Sequence, residues 1–254
     1  MKDLRTIGLF LILFIQAPAG FASAGQLTIA KANKAYADGS YSIAAELYLK
    51  VAEEGYASPG LYYNLGNAFF KVNDYARAIL WYERAKRLDP GNEDIDYNLN
   101  VANTKISDKI EPLPELFYKR WFTSMIRLFP VDAWARICTW LFIAGLAGLV
   151  VYLVSRVLIL RKAGFWGAII LFFLSLFTFL FAWSGYRDTA STSEAIIFTP
   201  TITVKSSPDE SSTDLFVLHE GTKVRLLDNI GSWYEIRIAN GSVGWLPKTS
   251  LEKI

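Results

Sequence analysis

Apolar residues fall into four zones along the chain, and each zone has its own pattern. A short apolar run occupies 7–15, and apolar residues recur at helical spacing through 25–104. The stretch 137–186 is apolar almost throughout, and from 195 onward apolar and polar residues alternate. The four patterns predict a short leader, a set of amphipathic helices, a pair of membrane-spanning helices and a group of short strands.

The first 24 residues have the layout of a secretory signal peptide. A basic start at 1–5 precedes the apolar run, and Ala22-Ser23-Ala24 follows it as a small-residue cleavage site. The nine apolar residues reach only about 14 Å as a helix, roughly half of a bilayer. We expect cleavage after Ala24; the alternative, an uncleaved anchor, also exports the residues that follow.

Two uncharged stretches, 137–154 and 163–186, are long enough to cross a bilayer. Trp and Tyr residues cluster near their ends, where amphipathic rings prefer the headgroup layer. Because neither stretch carries an ionisable group other than Cys138 and the tyrosines, an ion or proton transporter is disfavoured. The alternative is a pair of buried core helices.

The turn between the two spans predicts their orientation. It contains Arg156, Arg161 and Lys162, which suits a cytoplasmic loop. Combined with the export signal, this places the protein in a bacterial inner membrane with two spans. The segments on both sides of the hairpin, 25–136 and 187–254, are then periplasmic.

The segment 25–104 is a repeat, since it matches itself at an offset of 34 residues. The matching pairs are Asn33 and Asn67, Tyr41 and Tyr75, Ala44 and Ala78, and Tyr48 and Tyr82. This period and these residue types resemble the tetratricopeptide (TPR) repeat. The second copy fits the family pattern better than the first, which has Ala35 at a usual aromatic position. A third helix at about 94–104 is expected to cap the repeats.

The resemblance implies a concave, peptide-binding surface lined by the first helix of each pair. The repeat register assigns to it Asn33, Tyr36, Tyr63, Asn67 and Phe70. For the aromatic residues, packing alone is an equal alternative. The asparagines favour binding, because no packing reason for their recurrence is evident from the sequence. Two repeats and a cap fall below the roughly three that usually stand alone, so the module is expected to lean on the membrane, a second copy or a partner.

A Pro-containing linker at 105–114 leads into a predicted amphipathic helix at 115–129. Phe117, Trp121 and Met125 share one helical face, with cations opposite. This composition is typical of a helix that lies on lipid headgroups. Docking of the helix on the repeat is the alternative.

From 195 onward, seven short strands separated by turns predict a small barrel. Segments such as Gly221-Thr222-Lys223-Val224, Trp233-Tyr234-Glu235-Ile236 and Gly241-Ser242-Val243-Gly244-Trp245-Leu246 resemble the bacterial SH3 (SH3b) family. The resemblance implies a module that binds proteins or cell-wall peptides. Trp233 and Trp245 are the residues most often singled out there, with a role in the core as the favoured alternative. Tyr234 alternates to the opposite face and is expected to be exposed.

Composition excludes several kinds of site. A single cysteine, Cys138, excludes an internal disulfide, and a single histidine, His219, excludes any site that needs two imidazoles. The net charge is only +2, which gives no reason to expect nucleic acid. We found no phosphate-binding loop, nucleophile elbow or metal cluster. The sequence therefore predicts no catalytic residue, no metal and no cofactor, and no enzyme.

The whole chain is then a multidomain membrane protein: all-α TPR hairpins, two transmembrane helices and an all-β SH3-like barrel. Its predicted segments are a signal peptide (1–24), TPR repeats with a cap (25–104), a linker and interfacial helix (105–136), a transmembrane hairpin (137–186), a second linker (187–194) and an SH3b domain (195–254).

This order of segments resembles the BatE family of the Bacteroides aerotolerance (Bat) group. The resemblance implies partners among von Willebrand factor A-domain membrane proteins and other members of that group, and a link to oxygen or stress tolerance. The predicted function is a periplasmic scaffold; the alternative is an anchor that binds peptidoglycan through the SH3b domain.

Overall fold

The structure is a computed structural model that describes residues 22–114, 117–126, 128–190 and 193–254. Nearly all of the predicted signal peptide lies outside these residues, because helix α1 begins at Ala22. The chain divides into two compact units, of which the first ends at Tyr56 and the second runs from Ala57 to Ile254.

The first unit holds one pair of helices, α1 (Ala22–Ala37) and α2 (Tyr41–Glu53), which pack against each other. Gly39 has a φ of +78° in the turn between them, a conformation that glycine adopts without strain. Small residues at the contact, Ala32 and Ala44, are fully buried and let the two helices approach closely.

The second unit begins with the second pair, α3 (Pro59–Lys71) and α4 (Tyr75–Leu88), followed by α5 (Glu93–Asn103). The side chains of Ser58, Asp74 and Asn92 cap the N-termini of these three helices by accepting hydrogen bonds from backbone N–H groups. Helix α5 packs against both α3 and α4. The predicted all-helical repeat with a capping helix is confirmed.

Two long apolar helices follow a shorter one in the second unit: α6 (Phe117–Ile126), α7 (Val131–Val154) and α8 (Leu158–Ala190). Within the described residues, α7 and α8 are the helices that are long and apolar enough to cross a membrane. Both extend past the predicted spans, because charged residues such as Arg136 and Arg161 end the apolar run without ending the helix. The connection between them is only three residues long, 155–157.

Glycines set the distance between α7 and α8. A Cβ atom added to Gly164 would lie 2.7 Å from the backbone oxygen of Gly148, so the two backbones are in contact there. Such close approach is typical of helix pairs in membranes. Gly167 has nothing within 4 Å and does not take part.

The chain ends in a sheet domain (residues 193–254) whose seven strands form one antiparallel sheet of order β3-β2-β6-β5-β4-β1-β7. The strands are β1 (Glu194–Ile197), β2 (Thr201–Lys205), β3 (Asp214–His219), β4 (Lys223–Ile230), β5 (Trp233–Arg237), β6 (Val243–Pro247) and β7 (Leu251–Lys253). Every predicted strand is present, and the differences are confined to the strand ends. The core consists of Ala195, Ile197, Val204, Leu218, Val224, Ile236, Ile238 and Leu246.

Gly66 is required for the packing of α3 on α4. A Cβ atom at Gly66 would lie 2.5 Å from the ring of Tyr82, which is 1% exposed and has no room to move. We expect Gly66→Ala to lower the free energy of unfolding by about 1–3 kcal/mol, in spite of alanine's better helix propensity. Thermal unfolding of the full chain, followed by circular dichroism, measures this.

Gly60→Ala is the matched control, because Gly60 lies in the same helix with nothing within 4 Å of its added Cβ. It is expected to leave stability unchanged or slightly raised. Equal stability of the two variants would contradict the packing argument.

Candidate binding surfaces

The two recurring asparagines have a structural role that the sequence did not reveal. Tyr48 and Tyr82 are almost fully buried, and each donates its hydroxyl proton to an asparagine of its own helix pair. Tyr48 bonds Asn33 Oδ1 at 2.5 Å, and Tyr82 bonds Asn67 Oδ1 at 2.7 Å. A buried phenol needs such a partner. The inference that the asparagines had no packing reason to recur is therefore wrong.

The predicted aromatic residues also recur as packed pairs. Tyr36 meets the ring of Tyr41 edge to face at 5.1 Å, and Phe70 meets Tyr75 in the same way at 5.5 Å. Each pair joins the end of one helix to the start of the next, 34 residues apart in the sequence. Packing thus accounts for part of the surface of Tyr36 and Phe70, both of which stay half-buried.

In the second unit, the structure brings two of the predicted residues together with one that the sequence analysis missed. Asn98 of α5 donates one Nδ2 hydrogen bond to Tyr63 Oη and another to Asn67 Oδ1, each at 2.9 Å. The three side chains are half-buried and form a polar cluster between α3 and α5. We call Tyr63, Asn67, Phe70 and Asn98 the repeat surface. Asn33 and Tyr36 belong to the first unit.

A second surface lies on the sheet domain. Trp233, Glu235 and Trp245 share the face of β5 and β6 that points away from the core, and Glu235 pairs directly with Trp245. Both tryptophans are half-buried and lie outside the core cluster, so the favoured interpretation of them as core residues is wrong. Strand β2 adds Lys205, which pairs with Trp245. We call Trp233, Glu235, Trp245 and Lys205 the tryptophan surface.

Tyr234 does not have the exposed position that was expected. It alternates to the opposite face from Trp233, as predicted, but that face is the inner one, and its ring packs against the core at half burial. The ammonium groups of Lys248 and Lys253 lie 4.9 and 5.2 Å from the ring centre. Tyr234 therefore supports the edge of the core and is covered by two cations.

Helix α4 docks on the sheet domain, which the sequence analysis did not anticipate. Lys223 of β4 lies 3.0 Å from Glu83 of α4 and 2.9 Å from Glu194 of β1. Arg84 donates to Glu252 and to the Lys253 backbone oxygen. Strand β1 is buried on both faces, because Ile196 is fully buried on the side opposite the core and α4 contacts this strand.

The segment 105–114 is part of the same contact. The Asp108 carboxylate accepts hydrogen bonds from the His219 backbone N–H at 2.8 Å and from the Thr222 hydroxyl at 2.6 Å, and its other oxygen lies 2.7 Å from the His219 ring. Leu113 donates its backbone N–H to Ala239. The predicted linker is therefore a strap bound along the sheet domain. We call the contacts of α4 and the strap with this domain the dock.

Charge complementarity holds the dock at neutral pH. Burial raises the pKa of Glu194, but nearby Lys223, Arg87 and Arg225 outweigh it and leave the pKa below its usual value. For Asp108, burial also acts upward, and hydrogen bonds from Thr222 and His219 bring the net pKa down. Burial depresses the pKa of Lys223, while Glu83 and Glu194 raise it to a net value above normal. Each ion is stabilised in its charged form.

The comparisons with known families agree with this division of the chain. Residues 29–93 match the family model of the tetratricopeptide repeat, and residues 200–252 match that of the bacterial SH3 domain. The two matches confirm the repeats and the SH3-like domain expected from the sequence. The first module is a type that mediates protein–protein interaction, and the second is a type that often binds peptidoglycan.

Gly221 provides a direct test of the strap. Its φ is +85°, and an added Cβ would lie 2.4 Å from Ile106 Cγ2 of the strap. We expect Gly221→Ala to push the strap away and so to accelerate hydrogen exchange of the 105–114 amides. Mass spectrometry of the full chain measures this exchange.

The control is Gly231→Ala, at a φ of +55° with nothing within 4 Å. It carries backbone strain of about 1 kcal/mol but no contact with the strap. Faster exchange of 105–114 in both variants, or in neither, would contradict the proposed contact.

The dock is expected to weaken in acid. Because Glu194 and Asp108 have folded pKa values below their ordinary 4.5 and 3.8, their stabilising contribution is complete above those values. It is lost as the pH falls through the lower folded values. The double variant Glu194→Gln/Asp108→Asn should therefore unfold at a lower temperature than the unmodified protein at pH 7, and the difference should disappear near pH 3. A difference of the same size at both pH values would argue against this linkage.

Proposed function

We propose that the protein is a non-enzymatic, membrane-anchored scaffold that presents a TPR surface and an SH3-like surface to a shared protein complex. The dock carries this proposal. It fixes helices α3–α5 against the sheet domain and uses none of the residues of the repeat surface or the tryptophan surface. Both surfaces therefore stay available while their separation is fixed.

The proposed location is a bacterial inner membrane, with α7 and α8 as two spans and both soluble parts in the periplasm. Two observations support it. The dock joins the parts that precede and follow the hairpin, so both lie at the same end of it. The connection at the other end carries Arg156 and Arg161, both exposed, as the positive-inside rule expects of a cytoplasmic turn.

The proposed setting is a Bat-type envelope complex related to aerotolerance or stress. It is supported by the order of segments alone: leader, TPR repeats, apolar hairpin and SH3-like domain. In that setting the partners are von Willebrand factor A-domain membrane proteins and other members of the group.

Two variants test the scaffold without removing a domain. One carries Tyr63→Ala and Phe70→Ala on the repeat surface, and the other carries Trp233→Ala and Trp245→Ala on the tryptophan surface. Loss of central aromatic residues from an interface typically weakens binding by about tenfold or more. We expect each variant to lose proteins that crosslink to the unmodified chain in native membranes, as measured by affinity purification and mass spectrometry.

Tyr97→Ala is the control, since Tyr97 is 69% exposed on α5 and belongs to neither surface. Circular dichroism checks that all the variants are folded. An unchanged set of crosslinked proteins in both surface variants would refute the scaffold.

A second candidate function is an envelope anchor that binds peptidoglycan through the sheet domain. The half-exposed pair Trp233 and Trp245, beside Lys205 and Glu235, supports it. An anchor predicts that the purified full chain in detergent sediments with cell-wall sacculi and that the tryptophan variant does not. A scaffold predicts no sedimentation of either.

A further inference from the structure

Helix α6 has a broad apolar surface that only partly faces the rest of the protein. Its inner side packs on the hairpin: Phe122 meets the ring of Phe181 at 5.9 Å, and the Ile126 backbone oxygen accepts a hydrogen bond from Trp134 Nε1 at 2.9 Å. Ile126 and Trp134 are buried. An added Cβ at Gly185 would lie 3.7 Å from Ile126 Cγ2, so α6 ends against α8.

The outer side of α6 is apolar and exposed. Phe117 is 84% exposed and Trp121 64%, and Tyr118 and Leu128 are exposed beside them. At 100° per residue, Phe117, Trp121 and Tyr118 span an arc of about 100° that continues directly into the arc of Phe122 and Ile126. The surface that packs on the hairpin and the surface that is exposed are therefore one continuous apolar face.

The position of α6 along the hairpin indicates what covers this face. Phe181 and Trp134 belong to an aromatic cluster, with Phe129 and Phe177, near the end of the hairpin that carries the soluble parts. That end is where a spanning hairpin meets the headgroup layer. The exposed apolar surface of α7 and α8, which lipid covers in a membrane, borders α6 on the same side as its exposed rings.

We propose that α6 lies in the plane of the membrane, with Phe117, Tyr118 and Trp121 inserted at the boundary between lipid headgroups and acyl chains. This inference rests on the proposed membrane span. Tyr and Trp rings suit this layer, because one part of each ring is apolar and the other bears a hydrogen-bonding group. The helix is then a third membrane contact that does not cross the bilayer.

The consequence is a fixed height for the dock above the membrane. Helix α6 follows the strap along the chain and precedes α7, so it links the docked body to the hairpin. A helix held in the headgroup layer keeps the strap, and with it the repeat surface and the tryptophan surface, next to the bilayer. Partners at those surfaces are then proteins that lie close to the membrane.

The single cysteine makes the depth of α6 measurable. In a Cys138→Ser background, a nitroxide is attached at Trp121→Cys, and the full chain is reconstituted in vesicles of phosphatidylethanolamine and phosphatidylglycerol. Serine retains a hydroxyl group that can replace the contact of Cys138 Sγ with Ser175. Electron paramagnetic resonance then gives the accessibility of the label to oxygen, which concentrates in lipid, and to a water-soluble nickel complex.

Two matched positions calibrate the measurement. Tyr97→Cys on α5 is 69% exposed and reports water, and Trp140→Cys on α7 is 70% exposed and reports the proposed span. We expect the ratio of oxygen to nickel accessibility at position 121 to lie between the ratios at 97 and 140. Phe117→Cys repeats the test in case the Trp121 variant does not fold.

The possible failures are distinguishable. A label at 121 with the water-like ratio of position 97, while position 140 reports lipid, overturns the in-plane helix and leaves the span intact. A label at 121 that is immobile and shielded from both reagents identifies a protein partner or a second copy as the occupant, and also overturns the proposal. A water-like ratio at 140 refutes the span, and with it both the membrane anchor and this inference.

Discussion

The packing of α4 against strand β1 is the contact on which the arrangement of the second unit depends. A helix pair with one capping helix buries too little apolar surface to be stable by itself. The sheet domain supplies the missing partner: Ile79 of α4 and Ile196 of β1 are fully buried. The ion pairs around Lys223 are partly exposed, so each stabilises the contact only modestly. Their larger effect is on register, because Lys223 is placed between Glu83 and Glu194, and a shifted helix leaves one of these carboxylates unpaired.

Sequence patterns predicted the elements of this fold because each element is determined locally. The seven strands follow from alternation and turn residues, and the helix starts follow from caps such as Asp74 and Asn92. The dock was not predictable in the same way. Glu83, Arg84 and Arg87 look like the solvent face of an amphipathic helix, since a row of charges reads the same whether it meets water or complementary charges. The one available signal was Ile106, Ile110 and Leu113 in the strap, three large aliphatic residues that a free linker does not need.

The site residues show a second limit of the same reasoning. Recurrence at a fixed offset identified Asn33 and Asn67 correctly as special, but it did not distinguish a ligand contact from a hydrogen bond within the repeat. The partners Tyr48 and Tyr82 recur at the same offset, and their pairing with the asparagines depends on three-dimensional distance. For Tyr234, alternation gave the correct side relative to Trp233. It did not show which side is the inner one, because the sheet places Tyr234, and not Trp233, on the face of Ile236 and Leu246.

The dock also changes the physical argument for how two binding modules cooperate. Modules on flexible tethers raise each other's effective concentration over a range of spacings, so they accept partners of many shapes. In this chain, α3–α5 and the sheet domain are fixed by α4 and by the strap through Asp108, which removes most of that range. A partner that matches the fixed separation binds without the entropic cost of ordering a linker, and a partner that does not match reaches only one surface. Selectivity for a complex of one geometry then follows from the rigidity of the dock, even if each surface alone binds weakly.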